Sequence, residues 1–291
     1  SRAFAVGVIV PDLNNPIYHE LVRGIDEVAE ELGYHVLMSR TERMEPGADF
    51  LRKLAGEGRV DGFLIQRRDE TDQRDFAALA DAGGRPIILM NARWSRHGSV
   101  VHDDEGAGRM ATQHLLDLGH RDIALIGGDR HSHTAAARER GYVQAIHGAA
   151  MRRRSAWVLN RPYLPDAGRE AMIELCTAGR RRPTAVVAAN LHAAIGALLG
   201  AREVGLKVPE QLSLVAIHDW WISDYTRPQL TTVRMPQRAL GRAAMSLLHR
   251  SLEGEPAEDL TITEPAPELI QRESTAPPPR RLVRGRLPET A

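Results

Sequence analysis

The chain of 291 residues is long enough for one large or two ordinary domains, each with its own core. Hydrophobic residues at 43% and charged residues at 26% exclude a disordered or collagen-like chain, and 38 basic against 38 acidic side chains leave no overall field to hold a polyanion. The single cysteine, Cys176, excludes an internal disulfide framework and a cysteine-based zinc site, and suits a reducing cytoplasm.

Residues 4–10 open the chain as an apolar run of strand length, far too short to span a bilayer, and no export signal precedes it. A helix follows, with Asn15 as cap and Pro16 in its first turn. Ile17, Leu21, Ile25, Val28 and Leu32 form one apolar face, and Gly33 ends it. Further strand-length runs lie at 34–38, 62–65, 86–90, 123–126, 185–188 and 212–217, with amphipathic stretches between most of them. A second series starts after Asp103, with helices near 105–118 and 134–149 and a strand and helix across 185–204. Strand-helix alternation predicts an α/β protein with parallel sheets, and two such series predict two lobes. Residues 277–291, with three consecutive prolines and four arginines, read as a flexible basic tail.

Several segments carry a resemblance when read together. They are Val6-Gly-Val-Ile-Val-Pro-Asp-Leu-Asn-Asn-Pro-Ile-Tyr18, Val60-Asp-Gly62, Val100-Val-His-Asp103, Leu118-Gly-His-Arg121, Arg138-Glu-Arg-Gly-Tyr142, Gly205-Leu-Lys-Val-Pro209, Leu230-Thr-Thr-Val-Arg234 and Arg272-Glu-Ser-Thr275. Their order over roughly residues 3–276 resembles the effector-binding and dimerisation domain of the lactose-repressor (LacI/GalR) family of transcriptional regulators. The resemblance implies a periplasmic-binding-protein-like type I fold, with two Rossmann-like lobes joined by three crossovers, a ligand in the cleft, and a homodimer whose closure tunes DNA affinity. It also implies an amino-terminal lobe of 1–101 plus 235–260 and a carboxy-terminal lobe of 103–234 plus 261–276, with the helix near 236–252 in the dimer interface. Members of the family open with a helix-turn-helix headpiece, whereas this chain starts almost directly on the first strand. As it stands it is expected not to read an operator.

The resemblance also points to ligand-binding residues, each with a plainer reading beside it. Asn15 and Tyr18 stand at the first strand-to-helix turn, where Asn15 also suits a cap and the Tyr18 ring can stack on a ligand. Gln66, Arg67 and Arg68 follow a strand end, and Arg67 is the candidate there, against a solvated side chain. Asn91 and Arg93 follow the next strand. Asp103 at the first crossover either bonds a ligand or caps a helix. His133, Thr134 and Arg138 open a helix, and Thr134 and Arg138, four apart, share a face; Arg138 is the strongest single candidate, with a surface ion pair as its alternative. Tyr163 suits stacking on the ligand, or core packing. Asn190 matches a family asparagine, but Leu191 replaces the acid expected after it. His218-Asp219 stands where an acid pair is frequent, followed by Trp220 and Trp221, which suit a carbohydrate or a flat heterocycle.

The histidines at 97, 102, 131 and 133 are too loosely spaced for a metal site, and no cofactor is expected. Neither a phosphate-binding loop, a dinucleotide fingerprint nor a nucleophile turn occurs, so the chain reads as a non-enzyme. The reading that results is a cytoplasmic regulator, a repressor by family, sensing a sugar or sugar derivative, with a purine or nucleoside as alternative ligand and no membrane partner. The rival is an exported solute-binding protein that feeds a sugar transporter.

Overall fold

The computed structural model describes residues 2–11, 15, 17–40, 49–66, 84–94, 97–151, 155–179 and 181–279. The expectations placed on Pro16, Arg67, Arg68 and most of the tail fall outside them.

The first sheet contains β1 (Ala5–Val10), β2 (His35–Arg40), β3 (Gly62–Ile65), β4 (Ile87–Met90), β5 (Gly98–His102) and β11 (Asp259–Ile262), in the order β11-β5-β4-β3-β1-β2. Every pairing in it is parallel. The second holds β6 (Ile123–Gly127), β7 (Val158–Asn160), β8 (Ala185–Ala188), β9 (Ser213–Ile217), β10 (Thr231–Arg234) and β12 (Glu268–Ile270), ordered β12-β10-β9-β8-β6-β7. Only β12 runs antiparallel there. Strands β1, β3, β4 and β5 are buried along their whole length, as a parallel sheet covered on both faces requires.

Among the described residues seven helices cover the sheets: α1 (Ile17–Glu31), α2 (Asp49–Gly56), α3 (Asp104–Asp117), α4 (His133–Gly148), α5 (Pro165–Thr177), α6 (Leu191–Glu203) and α7 (Gln237–Leu252). The predicted apolar face of α1 buries Leu21, Ile25 and Val28, Asn15 Oδ1 accepts from the Ile17 amide at 3.2 Å, and Gly33 stops the helix at φ 75°. Three helix pairs, α1 with α7, α3 with α4 and α5 with α6, pack closely against each other. Glycines permit this. A Cβ on Gly108 of α3 would meet the Arg138 carbonyl at 2.2 Å, and one on Gly196 of α6 the Pro165 carbonyl at 1.7 Å.

The chain passes between the sheets three times: after β5, between β10 and α7, and between β11 and β12. Helix α7 packs on β3, β4 and β5, so residues late in the sequence complete the first sheet's core through Leu240, Ala244, Met245 and Leu248. Strand β11 runs to Ile262, two residues past the expected limit at 260, because its ladder with β5 continues through Thr261↔Val101 and Ile262↔His102.

The repressor-like Leu-Gly-His-Arg segment has a structural task. His120 is fully buried, 2.9 Å from Thr184 Oγ1 through Nδ1, and through Nε2 it lies 2.8 Å from the Ala276 carbonyl. It thereby ties the end of the fold to β8. Among the described residues no helix is long and apolar enough to cross a membrane, and no group of His, Cys, Asp or Glu is placed to hold a metal ion.

Candidate functional site

A cavity of 80 Å³ lies between the sheets, and each residue on its wall follows the carboxyl end of a strand. Pro11, Asn15, Ile17 and Tyr18 come after β1, Gln66 after β3 and Asn91 after β4. From the other side come Ser132, Thr134 and Arg138 after β6, Pro162, Tyr163 and Leu164 after β7, Asn190 and His192 after β8, His218 after β9 and Gln237 after β10. In open parallel sheets this edge is where ligands bind, because helix amino-termini direct their free N–H groups into the crevice.

Arg138 is the centre of the arrangement, at 3% exposure, and it makes no surface ion pair. Its Nε donates to Asp104 Oδ1 at 2.8 Å and Nη2 lies 2.7 Å from the same oxygen. Nη1 donates to the Ala189 carbonyl at 2.6 Å, and Nη2 lies 2.8 Å from His218 Nε2. Burial opposes the charge of Arg138, but Asp104 and the Tyr163 hydroxyl together outweigh it and raise the pKa of the guanidinium. The Tyr163 ring lies under the guanidinium at 5.8 Å.

A guanidinium can only donate, so His218 accepts at Nε2 and carries its proton on Nδ1. Gln237 Nε2 lies 3.1 Å from that nitrogen, and a half-turn of the carboxamide, which exchanges its nitrogen and oxygen, supplies the acceptor that an Nδ1–H needs. His218 adopts a left-handed φ of 74°, a backbone state that a non-glycine residue holds only when its surroundings fix it. Burial, and after it the charge of Arg138, pushes the His218 imidazole well below its ordinary pKa. His102, at the end of β5, is also buried; burial lowers its pKa against the opposing effects of Asp104 and the Gln237 side chain. The two histidines and Gln237 thus flank the first two passages of the chain between the sheets.

Opposite Arg138, a chain of amides runs from Asn91 to Gln66 at 3.2 Å and from Gln66 to the Tyr18 hydroxyl at 3.5 Å. Asn91 Oδ1 is buried without a hydrogen-bond partner, and the Tyr163 hydroxyl is buried beside Arg138 and Thr134.

Of the residues expected at the ligand, the structure gathers Asn15, Tyr18, Thr134, Arg138, Tyr163, Asn190 and His218 on the cavity wall. Asn190 and Asn15 cap their helices at the same time, Asn190 accepting from the His192 amide at 2.8 Å. Five expectations fall elsewhere. Asp103 accepts from the Gly106 amide at 2.8 Å and caps α3 instead, while the neighbouring Asp104 reaches Arg138; a one-residue slip in matching the crossover separates the two. Arg93 turns outward to Thr261 and Asp259 on the edge strand. His133 opens α4 but is not on the wall. Asp219 is held by Arg272 at 2.8 Å, Thr232 at 2.7 Å and Arg234 at 2.9 Å; burial pulls its carboxyl up, yet these bonds together keep it below the usual range. Trp220 packs against Trp221 at 4.9 Å and, with Asp219, borders a separate groove of 380 Å³ on the far side of His218 and Gln237. Arg67 is outside the described residues. The sequence reading missed Gln237 and Asp104. Gln237 gave no periodic or motif signal, whereas the doublet Asp103-Asp104 offered one that was read one residue early.

Residues 112–275 match the family model for a periplasmic binding protein-like domain. The helix-turn-helix-type transcriptional repressor PurR of Pasteurella multocida is 31% identical over 276 residues, which are 93% of this chain and 80% of the relative. A LacI family transcriptional regulator from Mycobacterium smegmatis has a crystal structure similar to this one, at 40% identity and a TM-score of 0.86, over 94% of this chain and 99% of that one. The transcriptional regulator CelR in complex with cellobiose follows at 27% identity and a TM-score of 0.83, over 94% of this chain and 85% of its own. These relatives are transcriptional regulators and not enzymes. With two doubly wound sheets, a polar cleft at their carboxyl edges and likeness over nearly its whole length, the chain belongs to the LacI family of transcriptional regulators and has the periplasmic-binding-protein-like type I fold.

Proposed function

We propose that the cavity between the sheets is the effector site of a cytoplasmic repressor, and that its ligand is a small polar molecule of the sugar class. The observation that carries this reading is the convergence of hydrogen-bonding side chains from both sheets on one cavity, with two aromatic rings, Tyr18 and Tyr163, among them. Such rings stack on the apolar face of a sugar while amides and hydroxyls take up its hydroxyl groups. The similarity to a regulator seen with cellobiose supports the same class. A purine or nucleoside is the second reading, favoured by the side-chain amides of Asn15, Gln66, Asn91, Asn190 and Gln237, since a carboxamide pairs in two-point fashion with a purine edge.

At 80 Å³ the cavity is smaller than the roughly 300–1,000 Å³ of typical small-molecule sites, so the ligand enters an opened cleft and stabilises one angle between the lobes. Differential affinity for the two angles is the signal, and in a homodimer it would set the spacing of two helix-turn-helix segments, to which reading of the operator is assigned. The homodimer is proposed to form through exposed apolar side chains such as Trp221 and Tyr225, which stand 54% and 72% exposed. Helix α7, also proposed for that interface, carries Arg238 and Arg242 paired to Glu27 of α1.

Thermal shift against sugars, polyols, nucleosides and purines tests the effector class. A ligand at one hundred times its dissociation constant stabilises the native state by about 2.7 kcal/mol, a rise of about 5–11 °C at roughly 2–4 °C per kcal/mol. A response confined to purines would replace the first reading with the second, and a folded protein that answers to none would refute both.

A further inference from the structure

The charge of the cleft is settled inside the protein. Apart from its histidines, the described cavity wall carries one ionisable side chain of fixed charge, Arg138, and four of its five N–H groups are engaged by Asp104, Ala189 and His218. Asp104 is fully buried and touches the guanidinium at 2.7 Å. Seen from the cavity the pair is a dipole and not a cation. An anionic ligand would lose its water without meeting a net positive charge, and a buried charge left in that position is strongly disfavoured. A neutral ligand meets a group with capacity to spare, Asn91 Oδ1, which is buried and unpartnered.

We propose that the cleft selects an uncharged effector, and that Asp104 is the specificity-determining residue because it holds the charge of Arg138 within the protein. Asp104 works through Arg138 and is a positioning residue. The inference rests on the effector-site reading above and narrows it.

The test uses matched pairs on the whole 291-residue chain: D-glucose and glucose 6-phosphate, D-ribose and ribose 5-phosphate, adenosine and AMP, with inorganic phosphate alone, each followed by thermal shift and calorimetric titration. Binding is expected for an uncharged member, with its phosphorylated partner weaker by tenfold or more. Asp104→Asn should gain affinity for inorganic phosphate by at least tenfold, Asp104→Glu should not, and adding Arg138→Gln to Asp104→Asn should abolish the gain. A purely structural role for Asp104 would lower stability without moving this preference. Should Asp104→Asn fail to fold, the wild-type pairs decide alone. A phosphorylated member that binds the wild type as tightly as its uncharged partner would overturn the proposal and leave the effector site standing. Binding of an uncharged member that Asn190→Ala leaves unchanged would instead sink the effector-site reading.

Discussion

Replacing Arg138 by methionine asks how much of the fold rests on the cleft. The substitution keeps most of the side-chain volume but leaves Asp104 buried with no counter-charge, its Oδ1 having lost both N–H donors. Breaking a buried ion pair by removing one partner costs about 3–5 kcal/mol. At roughly 2–4 °C per kcal/mol for a chain of this size, the melting temperature should fall by about 6–20 °C. Asp104→Ala alone should cost less, because the Ala189 carbonyl and His218 still accept from the stranded guanidinium. The double variant removes both buried charges, and it should be less destabilised than the sum of the singles by about 2–3 kcal/mol, the coupling of residues in direct contact. Urea unfolding followed by fluorescence of Trp157 and Trp220 reads all four corners of the cycle. If Arg138→Met costs under about 1 kcal/mol, or the two losses simply add, Asp104 does not hold the guanidinium, and the inference of a charge-neutral cleft loses its basis.

Three further outcomes follow from the same coordinates. His102 and His218 both have lowered pKa values in the fold, so above the ordinary imidazole value of about 6.5 neither affects stability, and below it the unfolded chain takes up protons that the native cleft refuses. The urea midpoint should therefore fall between pH 7.5 and 5.5, each histidine contributing a slope of up to about 1.4 kcal/mol per pH unit, and His218→Gln should flatten the dependence. Gly196→Ala should destabilise by about 1–3 kcal/mol or more, since its Cβ would lie 1.7 Å from the Pro165 carbonyl, whereas Gly56→Ala, which meets nothing within 4 Å, should be neutral or stabilising in thermal denaturation. Trp221→Ser combined with Tyr225→Ser should convert a dimer to a monomer in sedimentation velocity; a variant that sediments as the wild type does would place the interface elsewhere.

What the sequence reveals depends on how local the signal is. The first helix was legible because its apolar spacing, cap and terminal glycine all lie within twenty residues. Strands β7 and β12, three residues each, and β11, with alternating exposure at a sheet edge, have too little apolar length to stand out. The cleft was legible where a side chain follows directly on a strong strand, as Asn190 and His218 do. It was obscured where the decisive fact is a pairing between distant segments. Nothing local tells that Asp104 faces Arg138, thirty-four positions away, while Asp103 turns to its own helix, or that Asp219 answers Arg272 across the fold. Two acids that look alike in sequence are separated by the roughly 100° that one residue turns along a helix. Gln237 reaches the cavity only because the second crossing places the start of α7 against His218.

The most direct test of the effector site is calorimetric titration of a ligand that stabilises the chain into wild-type protein and into Tyr163→Ala, a substitution on the cavity wall that leaves Arg138 and Asp104 in place. One site per chain is predicted, with affinity reduced at least tenfold in the variant, the loss of a stacking ring worth more than about 1.4 kcal/mol. Equal affinity in the two proteins would put the ligand outside the cleft and contradict the account.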